Sequence, residues 1–221
     1  MTPDAFSDLV LALVCAVLAH RCRADGRGGV GVACLLIGIA ALLGVLRFSS
    51  WEPLATAVGG AHRFASLVAA VAGFPLLAFS LASPGSALAR HAGGAWWLAF
   101  PIGGFGIAAW LLGFKAWAQL APLLSVFAIA WVVLRHGGGR SRAAALTGLL
   151  LLFAGFAIAA GAWPTGGALP TLLSKTQALH YALAGALWLV VGSAAARGVA
   201  QCGDVGDRDD DPAEHKGGGV Q

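Results

Sequence analysis

Of the six histidines in the chain, four sit where a loop or interface would place them. His20, His91 and His136 each adjoin an arginine, and His215 belongs to an acidic C-terminal stretch. His62 and His180 differ, because both lie within apolar runs. Ser66 follows His62 by four residues and Gln177 precedes His180 by three, so on a helix each would share its histidine's face. Gly59, three residues before His62, would open space on that face. Asp8 lies at comparable depth in the first apolar run. Ionisable side chains in such segments are costly and face a bundle interior or a wet cavity. Two readings of the group stay open. One is an interhelical hydrogen-bond cluster in which Asp8 accepts from a histidine. The other is a chemical site, with Asp8, His62 and His180 as ligands of a divalent metal, zinc being the expected one. A metal-bound water would then be the nucleophile, and Ser66 and Gln177 its catalytic partners. A haem pair would need histidines facing each other within the hydrocarbon, and the arginine-flanked ones do not meet that need.

The elements that must position these residues follow from composition. The chain has 221 residues, 58% hydrophobic and 11% charged, with a mean hydropathy of +0.80. A soluble domain would carry roughly a quarter charged residues. Here the charges fall at the ends of long apolar runs, as they do when a bilayer solvates the apolar side chains. The fold class expected is all-α, a polytopic bundle of seven transmembrane helices. The spans are expected at about 5–20, 29–48, within 54–83, 95–114, 116–136, 143–163 and 176–196. The first is short enough to begin nearer Thr2, with Pro3 in its first turn. Pro75 is positioned to kink the third span, and Pro101 lies in the fourth. Ser83-Pro84-Gly85, Gly137-Gly138-Gly139 and Trp163-Pro164-Thr165-Gly166-Gly167 supply breaker chemistry at the joints. Ser49–Gly60 reads either as a short interfacial helix or as the outer end of span 3, and Ala168–Ser174 as a segment at the membrane surface. Many of the 32 glycines fall inside spans, where they permit close helix approach.

Sidedness follows from the basic residues. With the N-terminus outside, Arg21, Arg23, Arg27, Arg90, Arg135, Arg140, Arg142, Arg197, Arg208 and Lys216 fall inside, against Arg47, Arg63, Lys115 and Lys175 outside. That bias places the C-terminus in the cytoplasm and Trp51, Trp117 and Trp163 in the outer interface. The first apolar run has its arginines after it, the reverse of a cleavable signal, and reads as a retained span. The pI of about 9.2 is assigned to these inner loops and not to nucleic-acid binding. Residues 1–200 are read as the transmembrane domain. Residues 201–221, acidic and glycine-rich with almost nothing apolar, are read as a disordered cytoplasmic tail. The four cysteines lack zinc-site or redox spacing.

The runs Val58-Gly59-Gly60-Ala61-His62-Arg63 and Ser174-Lys175-Thr176-Gln177-Ala178-Leu179-His180-Tyr181, with Ser7-Asp8-Leu9, resemble uncharacterised bacterial heptahelical proteins. These are distantly similar to the alkaline ceramidase and adiponectin-receptor group, the CREST hydrolases. The resemblance spans residues 5–196 and implies a zinc-dependent hydrolase of a lipid amide or ester in a cell (plasma) membrane, acting from the outer leaflet. By that resemblance His62 and Ser66 stand for the early-helix histidine and serine, in reversed order, and His180 for the first histidine of the final-helix pair. The chain departs from the pattern at Ala184, where the second histidine would stand, and no aspartate follows His62 in the next helix. The alternatives are a non-enzymatic binding, assembly or accessory protein whose polar cluster fixes packing, and a small-solute transporter. The expected partners are membrane lipids, with a lipid as substrate. Spans 2, 4 and 6 carry few polar side chains, which argues against a through-pore.

Overall fold

The structure is a computed structural model that describes residues 1–136, 139–161 and 173–203. The described residues form α1 (Pro3–Ala24), α2 (Gly28–Arg47) and α3 (Glu52–Val68). A π-helical turn at Ala69–Gly73 carries α3 into α4 (Phe74–Ala82). There follow the short α5 (Ala87–Arg90), then α6 (Ala92–Leu111), α7 (Trp117–His136), α8 (Gly139–Ala159) and α9 (Lys175–Gly203). Among the described residues, seven helices are long and apolar enough to cross a membrane, with Glu52–Ala82 forming one 31-residue span. The all-α, seven-span expectation is met. Ser49–Gly60 resolves as the outer end of span 3, since α3 already begins at Glu52. The expected surface segment at 168–174 lies largely outside the described residues; of the expected tail, residues 201–203 continue α9 and the rest lies outside the described residues.

Local chemistry sets the helix limits. Thr2 caps α1, its hydroxyl accepting from the Ala5 N–H at 3.2 Å, with Pro3 and Asp4 in the first turn. That arrangement satisfies an orphan amide and places a carboxylate at the positive end of the helix. The Thr2 hydroxyl also donates to the Phe48 carbonyl, which brings the start of α1 to the end of α2. Gly26, at φ +67°, makes the tight turn into α2. Pro75 has no N–H to give to the carbonyl four residues back. The helix accommodates this by widening: the Phe74 N–H reaches the Ala69 carbonyl, five residues away.

The spans form a ring. α1 packs on α2 and α9, α9 on α8, α8 on α7, α7 on α4, and α4 with the π turn back on α2. α6 lies against the outside of this ring, touching α2 and the π turn. Small residues permit the close crossings. A Cβ on Gly106 of α6 would stand 2.5 Å from the Val71 Cβ, and one on Gly148 of α8 would stand 3.0 Å from the Ala186 carbonyl oxygen of α9. Between helices solvated by lipid, such backbone proximity supplies much of the attraction, because apolar surface gains nothing by leaving lipid.

Candidate functional site

The site begins at the N-terminal end of α1. Asp4 and Asp8 are one turn apart and share a face. Opposite them, α9 starts with a reciprocal capping box. The Ser174 hydroxyl accepts from the Gln177 N–H at 3.2 Å, and the Gln177 Oε1 accepts from the Ser174 N–H at 3.3 Å. The spare donors of that box go to one oxygen. Asp4 Oδ1 accepts from the Ser174 hydroxyl at 2.6 Å and from Gln177 Nε2 at 3.1 Å. Asp4 thereby fastens the start of α9 to the start of α1.

One turn deeper, the same pair of helices joins Asp8 to His180. Asp8 is 1% exposed, and its Oδ1 lies 3.3 Å from His180 Nδ1. Ser7 Oγ lies 3.3 Å from the same nitrogen. The Ser7 hydroxyl donates to the Asp4 carbonyl at 2.8 Å, so toward His180 it can only accept. His180 Nδ1 therefore donates its proton to Ser7, with Asp8 Oδ1 beside it, and in the neutral ring Nε2 holds a lone pair. Gly44 of α2 makes room for the carboxylate, since a Cβ there would meet Asp8 Cγ and Oδ2 at 2.5 Å. Asp8 Oδ2 is buried without a hydrogen-bond partner.

His62 reaches the site from α3. Its Nδ1 lies 3.2 Å from the Ala40 carbonyl of α2, which can only accept, so this ring too is protonated at Nδ1 and keeps its lone pair on Nε2. Phe48 meets the His62 ring edge-on at 5.9 Å between centroids. Just above, Arg47 donates to the Ala55 carbonyl at 3.1 Å and fills the space left by Gly59, where a Cβ would stand 2.5 Å from Nη1.

Asp8, His62, Ser66 and His180 all line a cavity of about 550 Å³ between α1, α2, α3 with the π turn and the start of α4, α7, α8 and α9. The rest of its wall is mostly apolar, with Ile37, Leu123, Phe153, Phe156 and Leu183 among the large side chains and Gln119 of α7 as a further polar group. Four of the five residues singled out from the sequence are thus brought together. Gln177 is not among the lining residues, because its side chain serves the capping box and Asp4. The space that Gly59 was expected to open beside His62 is taken by Arg47. Sequence reasoning passed over Asp4, the Ser7 hydroxyl, Gly44 and Gln119. Asp4 and Ser7 had a signal in the Asp4–Asp8 spacing and in the Ser174-x-x-Gln177 pattern. Gly44 had none beyond being one glycine among many.

The fit of these residues to zinc can be tested on their chemistry. A zinc site requires donor atoms about 2.0–2.2 Å from a shared centre. Among the described residues, no three His, Cys, Asp or Glu side chains are grouped to hold a metal ion. Asp8 and His180 meet, His62 turns its Nδ1 to the α2 backbone, and Ala184 is a buried methyl where the resemblance would require a third histidine. The described donor set does not fit a three-ligand zinc centre.

No family model matches the chain, and neither does a curated protein or a solved structure. By the length and hydropathy of seven helices among the described residues the chain is a polytopic membrane protein, and Asp8, His62, Ser66, Gln119 and His180 are the polar residues lining the cavity between six of them.

Proposed function

We propose that the chain is a ligand-binding membrane protein that takes an amphipathic, lipid-like molecule into the cavity from the outer half of the bilayer. The observation that supports this most directly is the make-up of the cavity. At about 550 Å³ it lies within the roughly 300–1,000 Å³ of small-molecule sites, and it has their character of an apolar wall with a few convergent polar groups. The polar groups gather toward the end of the bundle where α1 and α9 begin, and Phe153, Phe156 and Leu183 line the remainder. A molecule with a polar head and an apolar chain matches that gradient.

One further observation favours a hydrolytic variant of this reading. His180 is held at Nδ1 by Asp8 and Ser7, which leaves Nε2 as a base able to take a proton from a water beside a bound ester or amide. The test is to purify the protein in a mild detergent and extract what it carries. An amphipathic molecule should co-purify with the wild type and be lost from Ala118→Phe, which fills the cavity from α7. The wild type should also cleave a fluorogenic lipid ester or amide, with His180→Ala slower by about 10²–10⁴-fold. Binding without turnover would leave the non-enzymatic reading; equal loading of wild type and Ala118→Phe would overturn the site.

A further inference from the structure

Three residues that line the cavity, Asp8, His62 and His180, each carry a lone-pair acceptor that no donor of the described residues answers. Asp8 Oδ2 is the first. It is buried without a partner beside Gly44, on a side chain 1% exposed whose residue lines the cavity. The second and third are the Nε2 atoms of His180 and His62. Each ring has its Nδ1 proton committed, to Asp8 and Ser7 in one case and to the Ala40 carbonyl in the other. A neutral imidazole protonated at Nδ1 can only accept at Nε2.

The nearby donors are turned elsewhere. Arg47 gives Nη1 to the Ala55 carbonyl and lies over Gly59. Gln177 gives its amide to Asp4, and Ser7 its hydroxyl to the Asp4 carbonyl. Ser66 and Gln119 are the remaining polar lining residues. Among the described residues, His180 is the sole ion-pair partner of Asp8, so when that ring is neutral the carboxylate has no balancing charge. A buried carboxylate oxygen left in this state is costly.

The geometry points to a ligand whose head group is a hydrogen-bond donor and a cation, a primary alkylammonium, with Asp8, His62 and His180 as its acceptors. This rests on the binding reading above and assigns its ligand class. An ammonium offers three N–H donors and no acceptor, which matches three acceptors and supplies the charge that Asp8 lacks. N–H···O and N–H···N contacts span about 2.7–3.2 Å from the nitrogen, so the acceptors can stand further apart than the ligands of a metal at 2.0–2.2 Å. That agrees with a described donor set that forms no metal group. A fatty acid or an alkyl phosphate would instead bring its own oxygens and negative charge against Asp8 Oδ2 and two lone pairs. The apolar chain of an alkylamine would lie along Leu123, Phe153, Phe156 and Leu183.

The experiment is a competition in lipid nanodiscs of neutral lipid. Radiolabelled dodecylamine is displaced by unlabelled dodecylamine, by dodecanoic acid, by dodecyl phosphate, or challenged with zinc ion. Saturable dodecylamine binding is expected, with the acid and phosphate failing to displace it. Asp8→Asn should weaken binding by about 10-fold or more, the usual worth of a hydrogen bond to a charged group. His62→Phe, which keeps the aromatic contact with Phe48, should weaken it by a smaller factor and guards against an Asp8 variant that fails to fold. Equal displacement by the acid or phosphate would overturn the donor head group while leaving a lipid-binding cavity in place. Stoichiometric zinc uptake that excludes dodecylamine and is lost in His62→Phe would overturn the organic ligand in favour of a metal. Absence of saturable dodecylamine binding, with labelled dodecanoic acid and labelled dodecyl phosphate failing in the same nanodiscs, would overturn this inference and the binding reading together.

Discussion

A carboxylate 1% exposed within an apolar span demands a local reason. Asp8 has two: His180 Nδ1 at 3.3 Å and the gap left by Gly44. The second is open to a direct test. Gly44→Ala would drive a methyl to 2.5 Å from the Asp8 carboxyl carbon and oxygen. The carboxylate, wedged between α2 and His180, must rotate or the helices must part. Overpacking of this kind costs about 1–3 kcal/mol, and thermal unfolding in detergent should register it as a lowered midpoint. Gly60→Ala on α3, where a Cβ meets nothing within 4 Å, is the control and should be neutral or stabilising. An unchanged midpoint in Gly44→Ala would show that Asp8 is not confined as described. At this scale the sequence carried a good deal. Asp8 with His180 was legible because ionisable groups at matching depth in different spans have few partners to choose among. The role of Gln177 was misjudged because a shared helical face was weighed above the Ser-x-x-Gln spacing, which at a helix start marks a capping box. The use of Gly44 could not be read, since a glycine does not state which neighbour occupies its missing side chain.

Helix limits were the most readable feature, because apolar run length, capping residues and arginine positions all bear on them. α1 begins at Pro3 beneath a Thr2 cap, and α6 runs Ala92–Leu111, three residues ahead of the range expected from hydropathy alone. Hydropathy ignores that His91 can open the helix without a side-chain cap. Pro75 did mark an irregularity, but its form, a widened turn one residue upstream, depends on how α3 and α4 are held by α2 and α6. The crossing of α6 over that turn is where element packing is tightest. Gly106→Ala should destabilise the protein by about 1–3 kcal/mol, because its Cβ would stand 2.5 Å from Val71 Cβ. Val71→Ala alone, at a site 1% exposed, should cost about 0.5–1.5 kcal/mol for the lost methyls. The double variant should be less destabilised than the sum, as residues in direct contact require. Strict additivity would mean that α6 does not cross at this point.

At the scale of the whole molecule, the ring order is the feature a single sequence conceals. α1 packs on α9 across most of the chain's length, and nothing in either segment names the other. What the sequence does carry is polarity along the membrane normal, and the structure gives that polarity two ends. At one end Thr2 meets Phe48 and Asp4 meets Ser174 and Gln177, so the starts of α1 and α9 and the end of α2 lie together. At the other, Arg27 donates to the Val191 carbonyl at 3.4 Å and Arg21 lies 5.1 Å over the Trp188 ring. Arg135, at the far end of α7, stacks 4.3 Å over Trp131, the kind of contact that keeps an interfacial guanidinium near water while its stem covers apolar surface. By the positive-inside bias, the arginine-rich end is the one expected in the cytoplasm. Reporter fusions after Gly138 and after Gly166 should therefore give opposite results, the first active as a cytoplasmic reporter and the second as an external one. The two positions flank α8, a helix whose 18-residue core Ser141–Ile158 is long and apolar enough to cross once. Reporting from the same side would remove α8 as a span, and reversed signals would invert the protein. In the second case the cavity would open to the inner leaflet and draw its ligand from the cytoplasmic half of the bilayer.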